Sequence, residues 1–150
     1  MKRLISLVIV LVFLVSGFSY GALADDSADE VVYLENGYYL VFDGIFTSNT
    51  AITRSSDVMV VEGSKPGTIY RGESKVARVT VYGTFEYDGS SAEAVYAGYS
   101  YSKYNGWSFK SGEAYCSGNS AVASVTFGKF ALPNVNLVLK LSCSPDGVLS

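Results

Sequence analysis

The chain has 150 residues and 16.1 kDa, a formal charge of −3, 17% charged residues, two Cys and no His. That size allows one domain at most, and 11 basic residues in an acidic chain argue against nucleic-acid binding, which needs a clustered Lys/Arg footprint. Without His, imidazole metal ligation, His general-base catalysis and any Ser-His or Cys-His dyad are excluded; the 49% hydrophobic content is what remains to be explained.

Residues 1–24 explain part of it. Lys2 and Arg3 form a basic start, and Leu4 to Ser16 is an apolar run interrupted only by serine. Ala22-Leu23-Ala24 follows as a small-x-small cleavage signal, with Ala22 and Ala24 at its two small positions. This is the layout of a secretory signal peptide. The alternative is an uncleaved signal anchor, because Leu4 to Ala24 carries no charge and is long enough to span a bilayer. No Cys follows the apolar run and no hydrophobic tail ends the chain, so neither a lipoprotein nor a sorting anchor is expected. The expected location is extracellular or at a bacterial cell surface, without a stable membrane anchor if the leader is cleaved.

From Asp25 the composition changes to Val, Tyr, Thr, Gly and Ser. The first three fit pleated surfaces, and the last two serve turns. Residues 25–30 are acidic and polar, an expected flexible lead-in to a domain spanning 31–150. Five turn dipeptides divide that domain: Asn36-Gly37, Asp43-Gly44, Asp88-Gly89, Asn105-Gly106 and Asp146-Gly147. Val31–Leu34 and Tyr38–Phe42 read as a first hairpin. Gly44 to Ser56 is ambiguous. Val58–Val61 and Thr68–Tyr70 are short strands around a loop containing Pro66, and Gly72 to Lys75 is a turn. Val76–Tyr87, Ser91–Ser102, Trp107–Cys116, Ala121–Phe130 and Val135–Cys143 read as five longer strands. The last alternates best, with Val135, Leu137, Leu139, Leu141 and Cys143 on one face. The expected fold is all-β: an antiparallel two-sheet β-sandwich, Ig-like or Greek-key in style, preceded by a signal helix. A small closed β-barrel is the alternative.

The hairpin at Asp88-Gly89 can be given a register. With those two residues as the turn, Phe85 faces Ala92, Gly83 faces Ala94 and Val81 faces Tyr96. Sliding the turn to Gly89-Ser90 sets Glu86 opposite Glu93, a like-charge pair, so the first register is preferred. Parity then places Val79, Val81, Gly83, Phe85, Ala92, Ala94, Tyr96 and Gly98 on the core face. It places Tyr82, Tyr99 and Tyr101 together on the solvent face.

Export makes a Cys116–Cys143 disulfide the default. In a plain meander the two cysteines would flank strand Ala121–Phe130. They would then lie two strand spacings apart, roughly 9–10 Å, beyond the roughly 7 Å Cα limit for the bond. Either the last strand sits elsewhere, or the thiols are free and buried. Two Cys without His are too few for zinc.

Aromatic density supplies the candidate ligand site: Tyr82, Tyr99, Tyr101 and Trp107, with Tyr96 and Tyr104 nearby. An exposed platform of such rings would stack on sugar rings or on a surface protein. The competing reading is that Tyr is simply a good strand former and that Trp107 is the core tryptophan. Glu86 and Glu93 lie near each other in either register, but on an open face, where solubility explains them better than glycoside hydrolysis. Asp25, Asp26, Asp29 and Glu30 lack the D-x-D-x-D-G order of a calcium loop and read as solvated. No nucleophile elbow, P-loop or nucleotide fingerprint is present, and no metal or cofactor is expected.

Gly83-Thr84-Phe85, Tyr87-Asp88-Gly89, Trp107, Ser117-Gly118-Asn119-Ser120-Ala121, Leu141-Ser142-Cys143-Ser144, Asp146-Gly147 and Leu149-Ser150 set a recognisable cadence. Over Val76 to Ser150 the chain resembles small, uncharacterised secreted proteins of Gram-positive bacteria, a domain-of-unknown-function family. The resemblance implies a secreted, β-rich product and no active site. Three functions follow in order of preference: a secreted non-catalytic binding module for a glycan or surface protein, a bacteriocin- or toxin-like effector, and a small hydrolase.

Overall fold

The computed structural model describes residues 30–48 and 58–150. The leader with Ala22 and Ala24, the acidic lead-in before Glu30, and residues 49–57 of the ambiguous stretch lie outside the described residues. Among those described there are nine strands, one turn of 3-10 helix at Glu35–Gly37 and no α-helix. The strands are β1 (Val31–Tyr33), β2 (Tyr38–Phe42), β3 (Phe46–Ser48), β4 (Met59–Arg71), β5 (Ser74–Tyr87), β6 (Ala92–Lys103), β7 (Ser108–Ser117), β8 (Ser120–Gly128) and β9 (Val135–Ser142). The glycine of each of the five turn dipeptides sits at positive φ, the conformation the sequence pattern requires.

Two antiparallel sheets result. The first runs β1-β2-β4-β5-β6, with β3 pairing the early half of β4; the second runs β7-β8-β9. Neither closes into a barrel, so that alternative falls. Apart from β2 beside β4, paired strands are neighbours in the chain. The order is therefore a meander rather than a Greek key.

One core cluster draws on both sheets: Leu40, Ile69, Val79, Val81 and Phe85 from the first, Ala123, Val125, Phe127, Leu137 and Leu139 from the second. In β9 the alternation holds, with Val135, Leu137, Leu139 and Leu141 buried and Asn136, Val138 and Lys140 exposed. The sheets approach closely at Gly83, where an added β-carbon would stand 2.9 Å from the Ala121 methyl. Leu149 packs under Gly63 in the same way. Its backbone pairs with Cys143, so the chain end ties β9 to β4.

Three expectations are corrected. First, the two short strands around Pro66 are one strand of 13 residues, β4. Pro66 faces Thr80 on β5, and its carbonyl accepts the Asp43 amide on the opposite side. In an antiparallel ladder a residue's N and C=O point the same way. The missing Pro66 N–H therefore points the same way, past the end of β2, and the β4–β5 ladder loses no bond.

Second, the β5–β6 hairpin takes the register that the like-charge argument rejected. Glu86 pairs with Glu93, and Asp88 donates its amide to Ser91 around a Gly89-Ser90 turn. The Asp88 carboxylate explains why: it accepts the Ser90 and Ser91 amides at 2.8 and 2.7 Å. Those two N–H groups hold its pKa below the usual carboxylate value. Repulsion between two solvent-facing carboxylates is weak in water and yields to this turn chemistry. A bulge then follows, because Phe85 pairs with Ala94 while Thr84 pairs with Tyr96. Val95 is the extra residue, and every later side chain on β6 changes face. Tyr96 and Gly98 move outward; Tyr99 and Tyr101 move inward, opposite Val81 and Val79.

Third, Cys116 and Cys143 are both free. Cys116 pairs with Ala121, and Ala121 pairs with Leu141, so the cysteine-bearing strands flank β8. The meander geometry thus prevents the bond. Cys143 is fully buried, but Cys116 is exposed because β7 is a sheet edge.

Candidate functional site

The outer face of the first sheet carries a groove of about 510 Å³. Strand pairing assembles it in two registered rows. One row reads Phe46, Ser64, Tyr82, Gly98 across β3, β4, β5 and β6. The next reads Ser48, Glu62, Thr84, Tyr96 across the same strands. Directly opposed residues share a face of the sheet, so small polar side chains floor a trough and aromatic ones wall it. Phe46, Tyr82 and Tyr96 are 57%, 41% and 58% exposed.

Local contacts fix the walls. The Tyr82 hydroxyl shares a 3.0 Å hydrogen bond with Ser100 Oγ. Tyr96 lies along its own strand over Gly98, its hydroxyl occupying the space a side chain there would need. Among the described residues lining the groove, Glu62 is the one ionisable group with a carboxyl or amine. Lys65 is turned away, its Nζ 3.7 Å from Glu30 and above the Phe42 ring. Arg78 is held 2.9 Å from Asp43.

The four aromatic residues selected from the sequence do not form one platform. Tyr82 is in the groove. Tyr99 and Tyr101 face the core side and close the seam between the sheets. Tyr101 stacks on Phe109 with centroids 4.3 Å apart and meets Phe127 edge-on, and Tyr99 stacks on Phe109. Trp107 is 5% exposed and packs edge-on against Tyr38. It is the core tryptophan. Phe46 and Tyr96 were missed: the first lay in the ambiguous stretch, and the second was placed inward by a parity that ignored the bulge.

The carboxylates of the β5–β6 turn form a smaller hollow of about 140 Å³, lined by Val58, Glu86, Asp88 and Glu93 among others. Asp88 spends its carboxylate on its own turn. Among the described residues no group of three or more His, Cys, Asp or Glu side chains is placed to hold a metal ion. No helix among them is long and apolar enough to cross a membrane.

No family model, no curated protein and no solved structure matches the chain.

Proposed function

We propose that the chain is an exported, non-catalytic binding module that seats its ligand in the outer-face groove of the first sheet. The leader-like start supports export. One observation carries the binding reading: Phe46 and Tyr82 stand two strands apart in one registered row, with Ser64 between them. Concave surfaces with aromatic walls and a few convergent polar groups are the usual form of a small-ligand seat. The groove supplies hydroxyls, rings and one carboxylate, a lining suited to holding a ligand. The partner is a glycan or a surface protein, met at the cell surface or in the medium.

The test is capture of the purified chain on bacterial cell-surface material. The expected result is retention by the wild-type chain and loss of retention in Tyr82→Ala, with both chains equally folded by circular dichroism. Equal retention of the two chains would refute the groove as the seat.

A further inference from the structure

We propose that the groove selects a neutral glycan, taking one sugar ring edgewise between Phe46 and Tyr82 while Glu62 and Ser64 read its hydroxyls. This rests on the binding reading above and names the ligand class of the same groove.

The width comes from strand spacing. Two spacings put the Phe46 and Tyr82 backbones roughly 9–10 Å apart. A flat ring in van der Waals contact with an aromatic face on each side needs about 7–8 Å between those faces. Two strand spacings thus leave room for one flat ring between the walls. A pyranose suits it because its faces are C–H surfaces that pack on aromatic rings, while its rim carries hydroxyls. The trough stays open because the residue between the walls is Ser64.

Floor chemistry favours hydroxyls over other rims. Ser64 and Thr84 can each donate and accept, and the Glu62 carboxylate only accepts. Sugar hydroxyls do both, so each floor group finds a partner. A purely apolar ring would strip water from Glu62 and give nothing back. A ligand ringed with sulfate or phosphate would meet Glu62 with no cation among the described lining residues to offset it. Lys65 and Arg78 are engaged by Glu30 and Asp43.

Tyr96 forms the far wall. Its ring is exposed and rests over Gly98, next to Tyr82 in the neighbouring row. It offers a second stacking surface to the adjoining sugar of a chain. This makes the preferred ligand an oligosaccharide rather than a monosaccharide.

The experiment titrates the isotope-labelled chain with chitotetraose, cellotetraose, maltotetraose and a heparin-derived tetrasaccharide, reading amide shifts. At least one neutral tetrasaccharide is expected to bind and to move the Glu62, Ser64 and Thr84 amides. Tyr82→Ala should weaken that binding by about tenfold or more, and Glu62→Gln by a smaller factor because its amide oxygen still accepts. Three results would overturn the proposal. One is tighter binding of the sulfated tetrasaccharide. Another is neutral binding that Tyr82→Ala leaves unchanged. The third is no neutral binding at about 10 mM, ten times a millimolar Kd, while surface capture still depends on Tyr82. That last pattern removes the glycan but leaves the binding module standing, and points to a protein partner.

Discussion

The Tyr96 hydroxyl lies 2.6 Å from the point where a β-carbon on Gly98 would stand. Both residues are on the outer face of β6, so Gly98 provides the space in which Tyr96 lies down beside the groove. Adding one methyl must displace the ring. The atom in the way is the far end of a flexible side chain, so folding should tolerate the change. Gly98→Ala is expected to weaken capture on cell-surface material while shifting stability by no more than about 0.5 kcal/mol. Capture assays beside thermal melts check both halves.

Val95 sets the face of everything after it on β6. If Val95 paired regularly with Thr84 instead of bulging, Tyr99 and Tyr101 would turn outward and Tyr96 and Gly98 inward; removing Val95 leaves Ala94 on Phe85 and Tyr96 on Thr84 and changes no face. Deleting Val95 should therefore keep Tyr101 stacked on Phe109 and cost well under the roughly 3 kcal/mol of a large core truncation. Urea unfolding would measure it. A deletion variant destabilised by about 3 kcal/mol or more would show that Val95 is not the extra residue.

How much of this was readable depended on which force fixed each element. Where one term dominates, the sequence suffices: the β9 alternation is set by burial of one face, and the turns by glycine at positive φ. The β5–β6 register was a contest between Glu86 facing Glu93 and the Asp88 side chain capping a Gly89-Ser90 turn. Weighing the like-charge pair alone decided it wrongly, and no pattern in Ala92 to Ser102 announced the bulge. One inserted residue therefore kept Tyr82 at the site, exchanged Tyr99 and Tyr101 for Tyr96, and left Phe46 unseen. Pro66 misled for a related reason: its harmlessness depends on where β2 ends, which is a tertiary fact. The cysteines were legible as a conflict between export and meander, and topology resolved it.

Trp107 and Tyr82 should behave oppositely. Trp107 is buried against Tyr38, so Trp107→Ala should cost about 3–5 kcal/mol of stability. Tyr82→Ala, on the open face, should cost less than about 1 kcal/mol and affect capture instead. Denaturant curves of the two variants make the comparison, and a blue-shifted emission from Trp107 in the wild type would report its burial directly.

The two thiols should separate by reactivity. Cys116 is exposed and Cys143 buried, so a thiol reagent should modify the native chain once and the denatured chain twice, read by intact mass. Burial pushes the Cys143 pKa above its ordinary value of 9.0. The folded state thus holds a proton that the unfolded state releases first. Stability from this source is complete below pH 9.0 and falls as pH rises above it. Cys143→Ala should flatten that alkaline decline.

Where the ligand sits is tested most directly by a residue-level shift map of the labelled chain with a solubilised cell-surface fraction. The expected map is confined to Phe46, Glu62, Ser64, Tyr82, Thr84 and Tyr96. A map centred on Tyr99, Tyr101 and Phe109, or on the β7 and β9 edges, would contradict it.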